Sequence, residues 1–264
     1  MEQTANTYRM ILLSSLTKVF TDKEPLFFPE CCRLTGLYGE TVSFQTACSF
    51  SGDEKETLKV SIESPLKNYI EIKQVISVPS AYPAHEKRDS NYLRHTPGLY
   101  PDLLRALDHN RLLLVPGKWQ SLWLSVSLTS EITAGIYPIT VSLINPDQSI
   151  AASVTATLEV ISASLPQQEL IHTQWFHGDC LADYYNVPVF SEEHWTILEN
   201  FISLYAKRGM NMILTPIFTP PLDTARDGER TTISLLSGAQ NLRQRLWLQN
   251  TERKSNGLAG ILLP

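Results

Sequence analysis

The stretch from Gln174 to Asp223 constrains the fold of this chain more than any other. Leu170 to Phe176 reads as a buried strand, followed by a loop from His177 to Phe190. Ser191 is placed to cap a helix from about Glu192 to Arg208, with Glu192 and Glu193 in the first turn, where anions complement the helix dipole. Trp195, Leu198, Phe201, Ile202 and Tyr205 recur at three- and four-residue steps along one helical face. Phe190 and Trp195 stand where a hydrophobic staple forms, and Gly209 offers a left-handed cap. Met212 to Phe218 reads as a second buried strand, so the segment is a β-α-β unit with parallel strands, as in a barrel or an open α/β sheet. A closed barrel of eight such units takes about 250 residues. This chain ends at Pro264, so the expectation is an incomplete (β/α) barrel fragment at the front of a larger, truncated enzyme.

The residues before it follow a different period. From Leu12 to about Leu165, short apolar runs alternate with polar positions, as in Thr41 to Ala47, Leu58 to Ile62, Tyr69 to Val78, Gln120 to Leu128, Tyr137 to Ile144 and Ala151 to Ile161. Turn chemistry separates them at Ser51-Gly52-Asp53, Ser64-Pro65, Pro116-Gly117-Lys118 and Asn145-Pro146-Asp147. About eight strands at this spacing predict an antiparallel β-sandwich over residues 1–165. The fold class is therefore mainly β plus α/β, with the barrel fragment over 166–264 and an atypical tail from about 234. Tyr82 to Leu114 interrupts the alternation with Pro83, Pro97, Gly98 and Pro101, and reads as a long loop that packs against another domain.

Composition removes several function classes. With 43% hydrophobic and 19% charged residues the chain can form a globular core, and its formal charge of −5, without a Lys/Arg stripe, argues against nucleic acid as a partner. No apolar run reaches membrane-spanning length, and the first residues lack a basic leader, so no membrane partner and a cytoplasmic location are expected. Cys31, Cys32, Cys48 and Cys180 show neither a disulfide framework nor metal-ligand spacing. His85, His95 and His109 are irregularly spaced with no carboxylate cluster, and His194 reads as a helix-surface residue, so neither metal nor cofactor is expected.

Four groups of residues resemble glycoside hydrolase family 123, whose known activity is β-N-acetylgalactosaminidase. In the first part they are Ser14 to Phe20 and Gly39 to Gln45. In the second they are Trp175-Phe176-His177 with Leu181 to Tyr185, and the three-proline run from Leu214 to Thr224. The resemblance implies a sandwich preceding a catalytic barrel, and hydrolysis of a terminal β-linked 2-acetamido sugar in which the acetamido oxygen attacks the anomeric carbon. It also implies an adjacent Asp-Glu pair, the Asp polarising the acetamido group and the Glu protonating the leaving oxygen. Asp53-Glu54 is the one such dipeptide in the sequence and reads as a surface turn, so no catalytic residue is assigned. Beyond Ile233 the pattern fades, and Gln240 to Pro264 sets Arg243, Arg245, Arg253 and Lys254 against the lone acid Glu252, as a shifted reading frame or an unrelated terminus would.

The candidate substrate-binding residues are Trp175, His177, Asp179, Asp183 and Tyr184 at the carboxyl end of the first barrel strand, with Asp223 at the end of the second. An indole packs on the apolar C–H faces of a sugar while carboxylates accept from its hydroxyls. The expected partner is an amino-sugar glycan, and unfinished barrel edges predict self-association. The alternative is a non-catalytic module whose sandwich binds carbohydrate or protein, recognisable by aromatics exposed on one sheet face.

Overall fold

The structure, a computed structural model, describes residues 6–28, 32–84, 86–87, 90–167, 169–176, 178–214 and 261–262. It divides into two compact units, Met1–Pro166 and Gln167–Pro264, and is mostly β with few helices.

Ten strands form the described part of the first unit: β1 (Thr7–Ser14), β2 (Arg33–Tyr38), β3 (Thr41–Ser51), β4 (Glu56–Glu63), β5 (Ile70–Ser80), β6 (Gly98–Ala106), β7 (Arg111–Leu114), β8 (Trp119–Ser127), β9 (Gly135–Ile144) and β10 (Ile150–Ser164). They make two five-stranded sheets, ordered β1-β3-β8-β5-β6 and β2-β10-β9-β4-β7. Every pairing is antiparallel except β2 on β10, which runs parallel from Arg33 opposite Thr157 to Tyr38 opposite Ser164.

Alternation explains the layers. In β3, Phe44, Cys48 and Phe50 point to one face and meet Leu122, Leu124 and Val126 of β8. Across from them lie Leu58 and Val60 of β4, Ile139, Val141 and Leu143 of β9, and Leu158 and Val160 of β10, all in one buried cluster. The two sheets therefore share a single apolar core. On the other side of the first sheet a smaller cluster forms where the segment after β1 folds back, with Leu13, Val19, Ala47 and Trp119. Gly36 sits where any side chain would collide, since an added Cβ would lie 2.5 Å from both Leu128 Cδ1 and Val42 Cγ2.

The stretch expected as a loop between Tyr82 and Leu114 contains β6 and β7. Pro101 concealed β6 from the sequence pattern, yet a proline is tolerated there because β6 is an edge strand. Its register against β5 also slips, from Leu103 opposite Ile76 to Pro101 opposite Ser77, as a bulge requires.

In the second unit, β11 (Thr173–Trp175) and β12 (Met212–Leu214) pair in parallel, and β13 (Ile261–Leu262) adds to β12 antiparallel. Two helices lie between β11 and β12, α1 (Gly178–Tyr185) and α2 (Glu192–Lys207). Phe176, Trp195, Leu198, Ile202 and Ile213 form their buried cluster. Leu170 and Ile171, expected within a buried strand, are exposed at 79% and 51%, because pairing begins only at Thr173. The loop expected from His177 to Phe190 is in large part α1, too short a helix to announce itself by periodicity.

Candidate functional site

The corner where β11 passes into α1 gathers four of the six candidate residues. Trp175 ends β11, Asp179 and Asp183 stand four positions apart in α1, and Tyr184 follows. Asp183 is exposed, and Tyr184 is 82% exposed with its ring edge-on to Tyr185 at 5.0 Å. His177 and Asp223 lie outside the described residues.

The corner is held from below by backbone and side-chain bonds that periodicity does not reveal. Asn211, just before β12, accepts from His172 N–H through Oδ1 at 2.8 Å and donates through Nδ2 to the Leu170 carbonyl at 3.0 Å. The His172 carbonyl accepts from the backbone N–H groups of Asn211 and Met212. This clamp extends the β11–β12 pairing toward the amino end of the strands.

Helix α2 supplies the wall. The Ser191 hydroxyl accepts from His194 N–H at 3.2 Å, Phe190 stacks on Trp195 with ring centres 5.5 Å apart, and Gly209 takes a φ of 83°. Beyond Lys207, Gly209 N–H reaches the Ala206 carbonyl and Met210 N–H reaches Tyr205, which completes a Schellman cap. His194 departs from the sequence reading: instead of lying on the helix surface it is 1% exposed. Its Nδ1 accepts from Phe190 N–H at 2.9 Å and its Nε2 lies 2.8 Å from the Gly178 carbonyl. The signal that could have found it is its position three residues after the cap, where a side chain can reach back to the preceding backbone.

Among the described residues no group of three or more His, Cys, Asp or Glu is arranged to hold a metal ion, and no helix is long and apolar enough to cross a membrane. Chemically, the corner offers the exposed Asp183 carboxylate and the exposed Tyr184 phenol beside the carboxyl end of a strand, which suits contact with a polyhydroxylated ligand.

The first unit holds a separate groove of about 310 Å³ where β5 and β8 part company beyond the Val75–Ser121 pair. Thr21 enters that gap, its carbonyl accepting from Trp119 N–H at 2.9 Å. The Gln120 side chain is engaged with the Leu113 carbonyl and Val115 N–H, and Ser121 with Gln45, so the walls present mainly Val19, Val75, Ile76 and Leu99. On strands β1 to β10 the large exposed apolar residues among the described ones are aliphatic, such as Leu103, Leu113, Ile136 and Ile161.

Residues 175–242 match the catalytic domain of glycoside hydrolase 123. That match spans the strand-helix corner and continues past Ile233, where hydrophobic patterning loses the signal. Among solved structures, a family 123 glycoside hydrolase from Clostridium perfringens, described in terms of glycolipid glycan hydrolysis, superposes with a TM-score of 0.59 at 15% identity. The superposition covers 80% of this chain and 38% of that one, so the chain spans well under half the length of this relative. An adhesin, SrpA (the R347E mutant), from Streptococcus sanguinis covers 60% of each chain at 10% identity, with a TM-score of 0.28. No curated protein sequence matches the chain.

Proposed function

We propose, from the match of residues 175–242 to the glycoside hydrolase 123 catalytic domain, that this chain forms the sugar-contacting front of a β-N-acetylgalactosaminidase-type enzyme without its acid pair. In this reading residues 1–165 are a β-sandwich and β11-α2-β12 is the first unit of a (β/α) barrel. The observation that carries it is the family match falling on a parallel strand pair, with Trp175, Asp179, Asp183 and Tyr184 at the strand-to-helix corner.

The enzyme type hydrolyses a terminal β-linked 2-acetamido sugar with the substrate's own acetamido group as nucleophile. The protein's part is an Asp that orients the acetamido group beside a Glu that stays protonated near neutral pH, which needs a walled, partly dry pocket. Asp53 and Glu54 do not meet that need: both are exposed, in the turn between β3 and β4. The chain therefore binds an amino-sugar glycan and does not cleave it alone.

The test pairs two measurements on the 264-residue chain. With a chromogenic β-N-acetylgalactosaminide we expect no turnover above background, and in an NMR titration we expect saturable binding of N-acetylgalactosamine in the millimolar range, about 4 kcal/mol of binding free energy. Turnover would overturn the missing acid pair. Absence of saturable binding would overturn the sugar wall.

A further inference from the structure

Resting on the hydrolase reading above, we propose that His194 is the positioning residue of the sugar-contacting wall: it fixes α1, which carries Asp179, Asp183 and Tyr184, without touching the ligand. The roles of its two nitrogens follow from their partners. Phe190 N–H can only donate, so Nδ1 is the unprotonated nitrogen, and Nε2 carries the hydrogen that it donates to the Gly178 carbonyl. Gly178 opens α1 and Phe190 immediately precedes the cap of α2, so one buried ring joins the starts of both helices.

Three further features make this bond a determinant of geometry. Helix α1 has eight residues, too few to persist without tertiary support. Phe190 has a φ of 61°, a left-handed conformation costly for a bulky residue, and it is held by the bond to Nδ1 and by stacking on Trp195. At Gly178 an added Cβ would approach Leu198 Cδ2 to 3.1 Å, so the start of α1 lies close against the Leu198 side chain of α2 and has little room to drift. At its far end α1 is closed by Val187 N–H to the Ala182 carbonyl and Asn186 N–H to the Asp183 carbonyl.

The decisive variant is His194→Asn, whose side-chain oxygen can still accept from Phe190 N–H but whose amide cannot reach Gly178. Ile202→Ala is the control, a loss from the same buried cluster on α2 that leaves the His194 bonds in place. In the full chain, His194→Asn is expected to speed backbone hydrogen exchange at residues 182–185 about tenfold and to weaken N-acetylgalactosamine binding about tenfold, with Ile202→Ala within about twofold of wild type on both. Unchanged exchange in His194→Asn, or equal change in both variants, overturns the proposal. If wild type binds no sugar, the hydrolase reading falls, while the exchange comparison still decides whether His194 positions α1. If His194→Asn does not fold, the nitrogen NMR spectrum of the wild-type ring decides: hydrogen on Nε2 supports the assignment, and hydrogen on Nδ1 overturns it.

Discussion

The Ser121 hydroxyl donates a 2.9 Å hydrogen bond to Gln45 Oε1, and this contact orients an amide whose other end secures the segment after β1. Gln45 Nε2 faces the carbonyls of Ser14, Ser15 and Thr17 at 3.1, 3.2 and 2.8 Å. The two sequence segments that first pointed to the family, Ser14 to Phe20 and Gly39 to Gln45, are thus joined by one side chain. Gln45→Met keeps the volume and removes the amide, so the half-buried carbonyls of Ser15 and Thr17 lose this donor, while Ser14 keeps its bond from Thr17 N–H. We expect it to cost about 2–3 kcal/mol, and Ser121→Ala about 1 kcal/mol, read from urea unfolding. A Gln45→Met loss below that of Ser121→Ala would contradict the clamp.

Cys48 lies fully within the shared core, and burial pushes its thiol up from 9.0 to about 12, with the Thr46 hydroxyl partly opposing. A raised value favours the neutral thiol in the folded state. Its contribution to stability is therefore complete below pH 9 and is lost as pH rises from 9 toward 12. Native protein at pH 8 should leave Cys48 unmodified by a thiol reagent, and denatured protein should react at once. Rapid labelling of native Cys48 would refute the burial.

Thr46 Oγ1 is buried with no hydrogen-bond partner of good geometry, and the Cys48 sulfur it interacts with is a weak acceptor. Thr46→Val exchanges an unsatisfied hydroxyl for a methyl of like shape, so we expect a gain of about 1 kcal/mol, seen as a higher midpoint in thermal or urea melts. A lower midpoint would mean that the hydroxyl is satisfied.

Arg94 joins the segment between β5 and β6 to the segment after β1. Its guanidinium lies 2.6 Å from Asp22 Oδ1 and 3.9 Å over the Phe20 ring, and the Arg94 bond holds the Asp22 carboxyl below its ordinary 3.8. A lowered carboxylate value stabilises the fold above the unfolded value, and that part is lost as pH falls below 3.8 toward the folded value. Arg94→Met should remove this acid-dependent component and increase proteolytic cleavage between residues 81 and 97. An unchanged cleavage pattern would count against the tie.

The second unit exposes Leu170, Ile171 and Leu204. Apolar surface of this kind, beside a small sheet, favours association. Size-exclusion chromatography is expected to show oligomers or concentration-dependent elution. A monodisperse monomer with a cooperative melt would contradict this.

Strands buried on one face were legible in the sequence: the Thr41 to Ala47 alternation became β3, and Gln120 to Leu128 became β8. The edge strands were not. β2 and β7 are short, and β6 carries a proline and a bulge, so neither length nor alternation marks them. Helix α2 was readable to within a residue because its cap, staple and apolar stripe agree, whereas α1 owes its form to His194 and Gly178, contacts that no local pattern encodes. For the candidate site, the change of period located the corner at Trp175. The buried role of His194 escaped because a polar residue in the first helical turn looks solvated until its partner from another element is known.

The lone parallel pairing among the described residues of the first unit sets an order of events. Arg33 to Tyr38 must wait for Thr157 to Ser164 before it has a neighbour, a separation of more than a hundred residues along the chain. A nascent chain leaving the ribosome therefore carries an unmatched strand until the last strand of that sheet emerges. Such distant partnering places folding in the slow, millisecond-to-second regime of high contact order, with the early strand open to wrong partners in the interval.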